Sequence, residues 1–251
     1  SYQILQGLDY RELWRQYGCT LQTGGSDQWG NLTSGTELVR RAEGATVHAL
    51  GTPLITNSDG TKFGKSEGNA IWLDAEMTSP YAMYQFWLNT TDADVIARLR
   101  QFTFLTRAEI ERLEQAVADE PFRREAQRTL AFEVTSIVHG VMATQAAIDA
   151  AAALFGNGDL GALDPETLRS AIAALPGSVT LDPEADVARA LVETELVKSL
   201  GEARRAIDQG GVYVNNVRAE DAAAPLSDLA LPGGVLVLRR GKKTLAGVTL
   251  G

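Results

Sequence analysis

The sequence predicts three kinds of structure in succession: an α/β segment, an all-helical segment and a small α+β module. Three observations carry that reading. Between Cys19 and Thr56 a β-like run, a glycine turn, a helical run and two further β-like runs follow one another, the order of an α/β fold. From Ser79 to Phe155 helical periods succeed each other with no alternating run between them. From Asp186 onward short helices and short β-like runs mix, and the balance of charge changes sign.

Composition bounds the classes open to such a chain. With 251 residues, 45% apolar and 22% charged, it has room for one large domain or two to three smaller ones and an ordinary globular make-up. A single cysteine, Cys19, excludes an internal disulfide and a cysteine-rich zinc site, which sets a reducing, cytoplasmic compartment as the expectation. His48 and His139 are the only histidines, so no metal site is expected and both read as structural. No apolar run approaches the roughly 20 residues of a membrane span. No signal peptide is expected. Ser1 is not an initiator methionine, and the chain starts directly in a periodic segment, as though something upstream had been removed.

The net charge of −9 is unevenly spread. From Val197 to the end there are eight Lys/Arg against five Asp/Glu, a balance of +3, which leaves 15 basic and 27 acidic side chains, −12, in the residues before it. A basic module on an acidic body is an arrangement found in nucleic-acid binders.

The first element in order is a helix over about Tyr2 to Tyr17. Its period puts Ile4, Leu5 and Leu8 on one face and Tyr2, Gln6 and Asp9, at i, i+4 and i+7, on another. That second face is either plainly solvated or a phenol, an amide and a carboxylate converging on a small ligand. Cys19 to Thr23 alternates as a short strand and runs into Gly24-Gly25-Ser26-Asp27-Gln28-Trp29-Gly30-Asn31, with a helix over Leu32 to Arg41. Paired glycines let a ligand approach the backbone, and the free N–H groups of a first helical turn favour an anion or a ribose. Ser26 is a candidate cap for that helix, and Asp27 would complement its dipole.

The β-like runs Thr46 to Leu50 and Thr52 to Thr56 lead into Asp59-Gly60-Thr61-Lys62-Phe63-Gly64-Lys65-Ser66. Two lysines three apart, with two glycines, two hydroxyls and no acid between the lysines, suit a polyphosphate whose charge changes during reaction. Taken alone, the loop fits a surface turn equally well. It is not a phosphate-binding P-loop, because three residues rather than four separate Gly60 from Gly64, and Glu67-Gly68-Asn69 is a poor start for the helix that must follow.

Ser79-Pro80 is a helix start, and Tyr84, Phe86 and Trp87 behind it read as core rather than as a stacking platform. Thr106 to Glu109 is a capping box ahead of the stripe Ile110, Leu113 and Val117. After Pro121 a long helix is expected to place Phe122, Ala126, Leu130, Val134 and Ile137 on one side, with Arg123, Arg124 and Arg128 solvated, and Ala143 to Phe155 is a further helix. Asp164-Pro165 opens a short helix, and Gly177 to Pro183 reads as a linker.

The last module is expected to begin with a helix over Asp186 to Lys198. A capping box at Ser199 to Glu202 and a short helix with Arg204 and Arg205 follow, then a strand Val212 to Asn215 with an Asn-Asn turn. A strand Val235 to Leu238 leads into Arg239-Arg240-Gly241-Lys242-Lys243. Arginines on a short helix beside a basic hairpin resemble a surface that meets phosphates, which supplies affinity and little sequence reading.

With these residues laid out, the whole chain resembles the C-terminal part of the bacterial tyrosyl-tRNA synthetases, which are class I aminoacyl-tRNA synthetases. Lys62-Phe63-Gly64-Lys65-Ser66 is similar to the class signature Lys-Met-Ser-Lys-Ser, with a departure at its Phe-Gly centre. Gly24 to Asn31 and the Tyr2, Gln6, Asp9 set are similar to that family's amino-acid and adenylate pocket. Val212 to Asn215, after Glu202-Ala203-Arg204-Arg205, resembles a small RNA-binding module shared with a ribosomal protein.

The resemblance implies the second half of a Rossmann-like catalytic domain over 1–78, a helical, anticodon-side domain over 79–155, a linker with a short helix over 156–183 and the RNA-binding module over 184–251. It implies tyrosine activation with ATP, accompanied by Mg²⁺, and transfer to tRNA(Tyr) by a cytoplasmic homodimer. Lys62, Lys65 and Ser66 would be catalytic. Tyr2, Gln6, Asp9 and Gln28 would hold tyrosine, with Asp9 on its phenol. Gly25 and Asp27 would meet the adenylate ribose, with Lys62 and Lys65 on the phosphates. Arg204, Arg205, Arg239, Arg240, Lys242 and Lys243 would meet RNA. The half carrying the His-Ile-Gly-His signature would lie upstream of Ser1, so these residues alone are expected to be inactive. The alternative is a synthetase-derived RNA-binding or regulatory protein without activation chemistry, against which the intact pocket residues and both lysines speak. Within the enzyme class the runner-up is the closely related tryptophanyl enzyme, and Asp9, poised for a phenol, and the appended RNA-binding module both favour tyrosine.

Overall fold

The computed structural model describes residues 2–58, 60, 63, 70–155, 158–241 and 244–251. They fall into two compact units, 1–70 and 71–251.

The first unit opens with helix α1, Tyr2–Tyr17, followed by strand β1, Leu21–Gly25, a 3-10 turn over Ser26–Gln28, helix α2, Trp29–Glu43, and strand β2, His48–Thr52. β1 and β2 pair in parallel from Leu21↔His48 to Gly25↔Thr52, so α2 is the crossover of a βαβ unit. α2 stops at Gly44, whose φ of 67° is the left-handed cap that glycine adopts without a Cβ clash. Leu32 and Val39 of α2 and Tyr10 of α1 are buried between the layers.

α1 docks by a face other than the apolar one. Ile4, Leu5 and Leu8 are 66%, 59% and 42% exposed, whereas Gly7 and Tyr10 are buried. The reason is steric: a Cβ on Gly35 of α2 would stand 3.0 Å from the Tyr10 ring, and one on Gly7 would stand 3.7 Å from Gly35 Cα. Two glycines facing each other bring the helix backbones close, and that approach sets which face of α1 is covered.

The helices of the second unit are α3, Pro80–Leu88; α4, Asp92–Phe102; α5, Arg107–Asp119; α6, Glu125–His139; α7, Val141–Phe155; and α8, Pro165–Ala173. Ser79 caps α3 with Pro80 in its first turn, and Thr106 with Glu109 closes the complete capping box of α5. Tyr84 and Trp87 are core, as expected. The stripe expected on α6 shifts. Phe122 lies in a 3-10 turn and is 77% exposed, and Arg124, at φ 51°, separates that turn from α6. The buried face of α6 is Ala126, Gln127, Leu130, Ala131, Val134 and Thr135, with Ile137 half exposed. Gln127 Nε2 donates to Asp92 Oδ1 at 2.5 Å, which ties α6 to the start of α4.

The same unit continues through β3, Val179–Leu181; α9, Val187–Glu193; α10, Leu200–Asp208; β4, Val212–Val214; β5, Val217–Arg218; β6, Val235–Arg240; and β7, Thr244–Leu250. The sheet order is β3-β7-β6-β4-β5. The stretch read as linker therefore supplies an edge strand, since Val179–Leu181 pairs in parallel with β7. α9 is shorter than expected and ends before Glu195, a left-handed residue at φ 58°. Asn215 and Asn216, at φ 49° and 66°, make the expected tight turn between β4 and β5. One sheet face, through Val212, Val214, Leu236, Leu238, Ala246 and Val248, packs with α9 and α10. Ile172 of α8 lies against the opposite face at Gly247, where any side chain would collide with it.

Candidate active site and RNA-binding surface

In the first unit the site is built on a floor of two glycines. Gly24 and Gly51 are register partners on β1 and β2. A Cβ on Gly24 would lie 3.3 Å from Gln28 Cβ, and one on Gly51 would lie 3.2 Å from Trp29 Cε3. Their bareness lets the Ser26–Gln28 turn and the first turn of α2 settle onto the C-terminal ends of parallel strands, where α/β proteins bind ligands. Gly24 and Gly25 thus end a strand; the turn expected at them begins one residue later, at Ser26.

Asp27 folds back over this floor. A Cβ on Gly25 would approach Asp27 Oδ1 to 2.7 Å and Leu54 Cδ2 to 3.1 Å, so a side chain there would have to displace that carboxylate. Gly25 and Asp27, predicted to share one ligand group, therefore lie side by side. Gln28 accepts a hydrogen bond at its Oε1 from Asn31 Nδ2, 2.8 Å away, which leaves its amide N–H pair to donate elsewhere. Ser26 does not cap α2. The N-cap residue is Gln28, and its side chain makes no cap hydrogen bond.

Tyr2, Gln6 and Asp9 lie along one flank of α1, beside the docked face; Tyr2 and Asp9 are exposed and Gln6 is half buried. Two residues that the sequence pattern did not single out hold this helix in place. Gln3 Nε2 donates to Gly30 O at 2.8 Å, and Ser34 Oγ donates to Gln3 O at 3.2 Å. The buried Tyr10 hydroxyl donates to His48 O at 3.1 Å, and burial pushes its pKa up. Gln3 brings the first turn of α1 against the first turn of α2, the turn that follows Asp27 and Gln28. The periodicity contained Tyr10, but a polar side chain anchoring to a strand carbonyl has no signature in spacing.

The loop lysines Lys62 and Lys65, with Ser66, lie outside the described residues. What is described is the frame of the loop: Gly60 N donates to Asn57 O at 2.9 Å, and Phe63 N to Ile55 O at 3.2 Å, just beyond β2.

In the second unit Arg204 and Arg205 are exposed on α10 and form no ion pair among the described residues. Arg239 and Arg240, adjacent in sequence, project to opposite faces of β6 because side chains alternate along a strand. Arg240 is committed internally, donating to Leu196 O at 2.7 Å and to Glu202 Oε1 at 2.8 Å. Glu202 Oε2 also accepts from Lys198 N at 2.9 Å, and these donors hold its carboxyl below the usual carboxylate range. The box expected at Ser199 is thus half formed: Ser199 Oγ accepts from Glu202 N at 3.3 Å, while the Glu202 side chain turns to Lys198 and Arg240. Lys242 and Lys243 lie outside the described residues. Among the described residues no group of three or more His, Cys, Asp and Glu could hold a metal, and no helix is long and apolar enough to cross a membrane.

Two family models match the chain. Residues 1–156 match tRNA synthetases class I (W and Y), and residues 168–247 match the tyrosine–tRNA ligase SYY-like C-terminal domain. Among curated relatives, a tyrosine–tRNA ligase of Leifsonia xyli subsp. xyli is 71% identical over 249 residues, covering 99% of this chain and 56% of the relative. One of Streptomyces avermitilis is 59% identical over 251 residues, covering 99% of this chain and 59% of the relative. The chain thus spans a little under three fifths of the length of these relatives. Crystal structures of C-terminally truncated mitochondrial tyrosyl-tRNA synthetases from Coccidioides posadasii and Aspergillus nidulans align at 31% and 35% identity, each with a TM-score of 0.50, over 58% of this chain and 42% of the matched chain. Since the first model covers well over half of the residues, the chain belongs to the family of class I tRNA synthetases of the W and Y type.

Proposed function

We propose that the protein carrying this chain is a tyrosine–tRNA ligase. The observation that carries the reading is the succession within one chain of a class I W/Y synthetase match and a tyrosine–tRNA ligase C-terminal match. The Asp27 carboxylate folded over Gly25 at the ends of two parallel strands supports it, because a carboxylate there can accept from ribose hydroxyls.

The chemistry is two displacements. The carboxylate of tyrosine attacks the α-phosphate of ATP, forming tyrosyl-adenylate as pyrophosphate leaves with its Mg²⁺. A hydroxyl of the terminal ribose of tRNA(Tyr) then takes the tyrosyl group, and AMP departs. Lys62 and Lys65 stabilise charge that develops on the phosphates, with Ser66 beside them, and the loop closes over ATP. Neither lysine has to transfer a proton, and the rate comes from positioning and electrostatics.

Tyr2 and Gln6 hold the amino group of the substrate. Gln28 serves the α-carboxyl region, which fits the amide donors left open by Asn31. Asp9 accepts from the phenolic hydroxyl. Phenylalanine would leave that acceptor unpaired, the case for which discrimination by tyrosyl enzymes of about 10⁵ is the standard example.

Residues 1–78 act as the second half of the catalytic domain, 79–155 as a helical domain, 156–183 as a connection and 184–251 as the RNA-binding module. Arg204, Arg205, Arg239, Lys242 and Lys243 meet RNA phosphates, and Arg240 braces α10. The working unit is a cytoplasmic homodimer.

The test is ATP–pyrophosphate exchange by a full-length protein carrying these residues, with tyrosine, phenylalanine and tryptophan offered separately. Exchange with tyrosine alone is expected. No tyrosine-dependent exchange would leave the RNA-binding alternative standing in its place.

A further inference from the structure

The face of the C-terminal sheet turned away from α9 and α10 carries a row of side chains of which the sequence pattern singled out only Arg239. Tyr213 of β4 is paired in register with Arg218 of β5 on one side and with Arg239 of β6 on the other. Side chains at directly paired antiparallel positions share a face, so the three form one row: arginine, tyrosine, arginine. Leu245 of β7 continues the row and is buried, whereas Arg218, at the open edge, is exposed.

The row is ordered from within. The Arg239 guanidinium carbon stands 4.2 Å from the centroid of the Tyr213 ring, a cation–π stack. Arg239 Nε is enclosed and has no hydrogen-bond partner among the described residues. At the other end the Arg218 guanidinium lies against Gly210. Gly210 has a φ of 70°, the left-handed region that favours glycine. Neither Arg218 nor Arg239 forms an ion pair among the described residues, although Glu220 lies two residues from Arg218. Arg240, one residue along, is paired with Glu202. Two cations kept unpaired and positioned beside an aromatic ring fit the backbone of RNA, which offers phosphates to the guanidinium groups and a base to the stacked plane.

We propose that Arg218, Tyr213 and Arg239 form a second RNA contact, on the sheet face opposite α10, in which Arg218 takes a backbone phosphate and the Tyr213–Arg239 stack sets where that phosphate sits. The inference rests on the reading of this module as RNA-binding. It makes Arg218 an RNA contact.

The experiment measures affinity of the full-length protein for its tRNA across a salt series, for the wild type, Arg218→Ala, Arg218→Lys and the charge-reversed pair Arg204→Glu/Arg205→Glu, with circular dichroism as the check of folding. Arg218→Ala is expected to weaken binding several-fold at low salt and to reduce the slope of log K against log salt by about one. Arg218→Lys should restore the slope. An Arg218→Ala variant with the wild-type affinity and slope, in a protein whose Arg204/Arg205 reversal does weaken binding, would overturn the second contact and leave the module's RNA-binding role intact. A wild-type protein with no salt-dependent tRNA affinity would overturn both.

Discussion

Glu202 gathers two donors from outside its helix, the Lys198 N–H and the Arg240 guanidinium, and so fastens the start of α10 to the end of β6. These hydrogen bonds lower its pKa. A carboxyl with a depressed folded-state pKa stabilises the fold above the ordinary carboxylate range, and that stability is lost as pH falls through the folded value. Glu202→Gln should therefore lower the melting temperature at pH 7, and the gap from wild type should close as the pH is taken below about 4. A gap that persists unchanged in acid would mean that packing, and not charge, holds the joint. At this scale the sequence was legible in part. The Ser199 cap was readable from spacing, but the partner of Glu202 was not, because Arg240 lies 38 positions away. Arg239 and Arg240 read as one basic patch. Strand alternation separates them, and only the sheet's position against α10 decides which of the two becomes internal.

At the scale of elements, the order of strand, glycine turn and helix was legible, but the two β-like runs expected over Thr46 to Leu50 and Thr52 to Thr56 are one strand, His48–Thr52, which pairs in parallel with β1. The face by which α1 docks was not legible. A stripe of Ile4, Leu5 and Leu8 argues for burial by hydrophobicity, whereas the observed contact is set by Gly7 and Gly35, whose effect is the absence of side chains. Gly35→Val would push branched carbons into the Tyr10 ring, and overpacking of this kind costs about 1–3 kcal/mol. The expected result is that much loss for the first unit in urea unfolding, with the second unit's transition unmoved. No loss would show that the two helices can part without consequence. The exposed start of the expected α6 stripe has a similar origin. Periodicity carried the stripe through Phe122, but the left-handed Arg124 breaks the helix after it.

For the whole molecule the sequence carries a division of charge, −12 before Val197 and +3 from there on. Acidic residues repel a polyanion, so under the proposed function affinity for RNA is expected from the module that reverses the sign. Of the candidate site, the turn with Gly25, Asp27 and Gln28 was legible because close backbone approach demands glycine at fixed places. The anchors Gln3 and Tyr10 were not, since each binds a carbonyl brought near only by folding. The proposed function divides the labour, with activation at the Gly25–Asp27 turn and the Lys62–Ser66 loop and RNA held by the C-terminal module. The most direct measurement takes two variants of the full-length protein, Lys65→Ala and Arg204→Glu/Arg205→Glu, and determines for each both tyrosine-dependent ATP–pyrophosphate exchange and affinity for tRNA. Lys65→Ala is expected to lower the exchange rate by tenfold or more, a loss of at least about 1.4 kcal/mol of transition-state stabilisation, with tRNA affinity unchanged, and the charge-reversed pair to weaken tRNA binding with exchange unchanged. A Lys65→Ala variant with full exchange, or a charge-reversed pair that binds tRNA as the wild type does, would contradict that division.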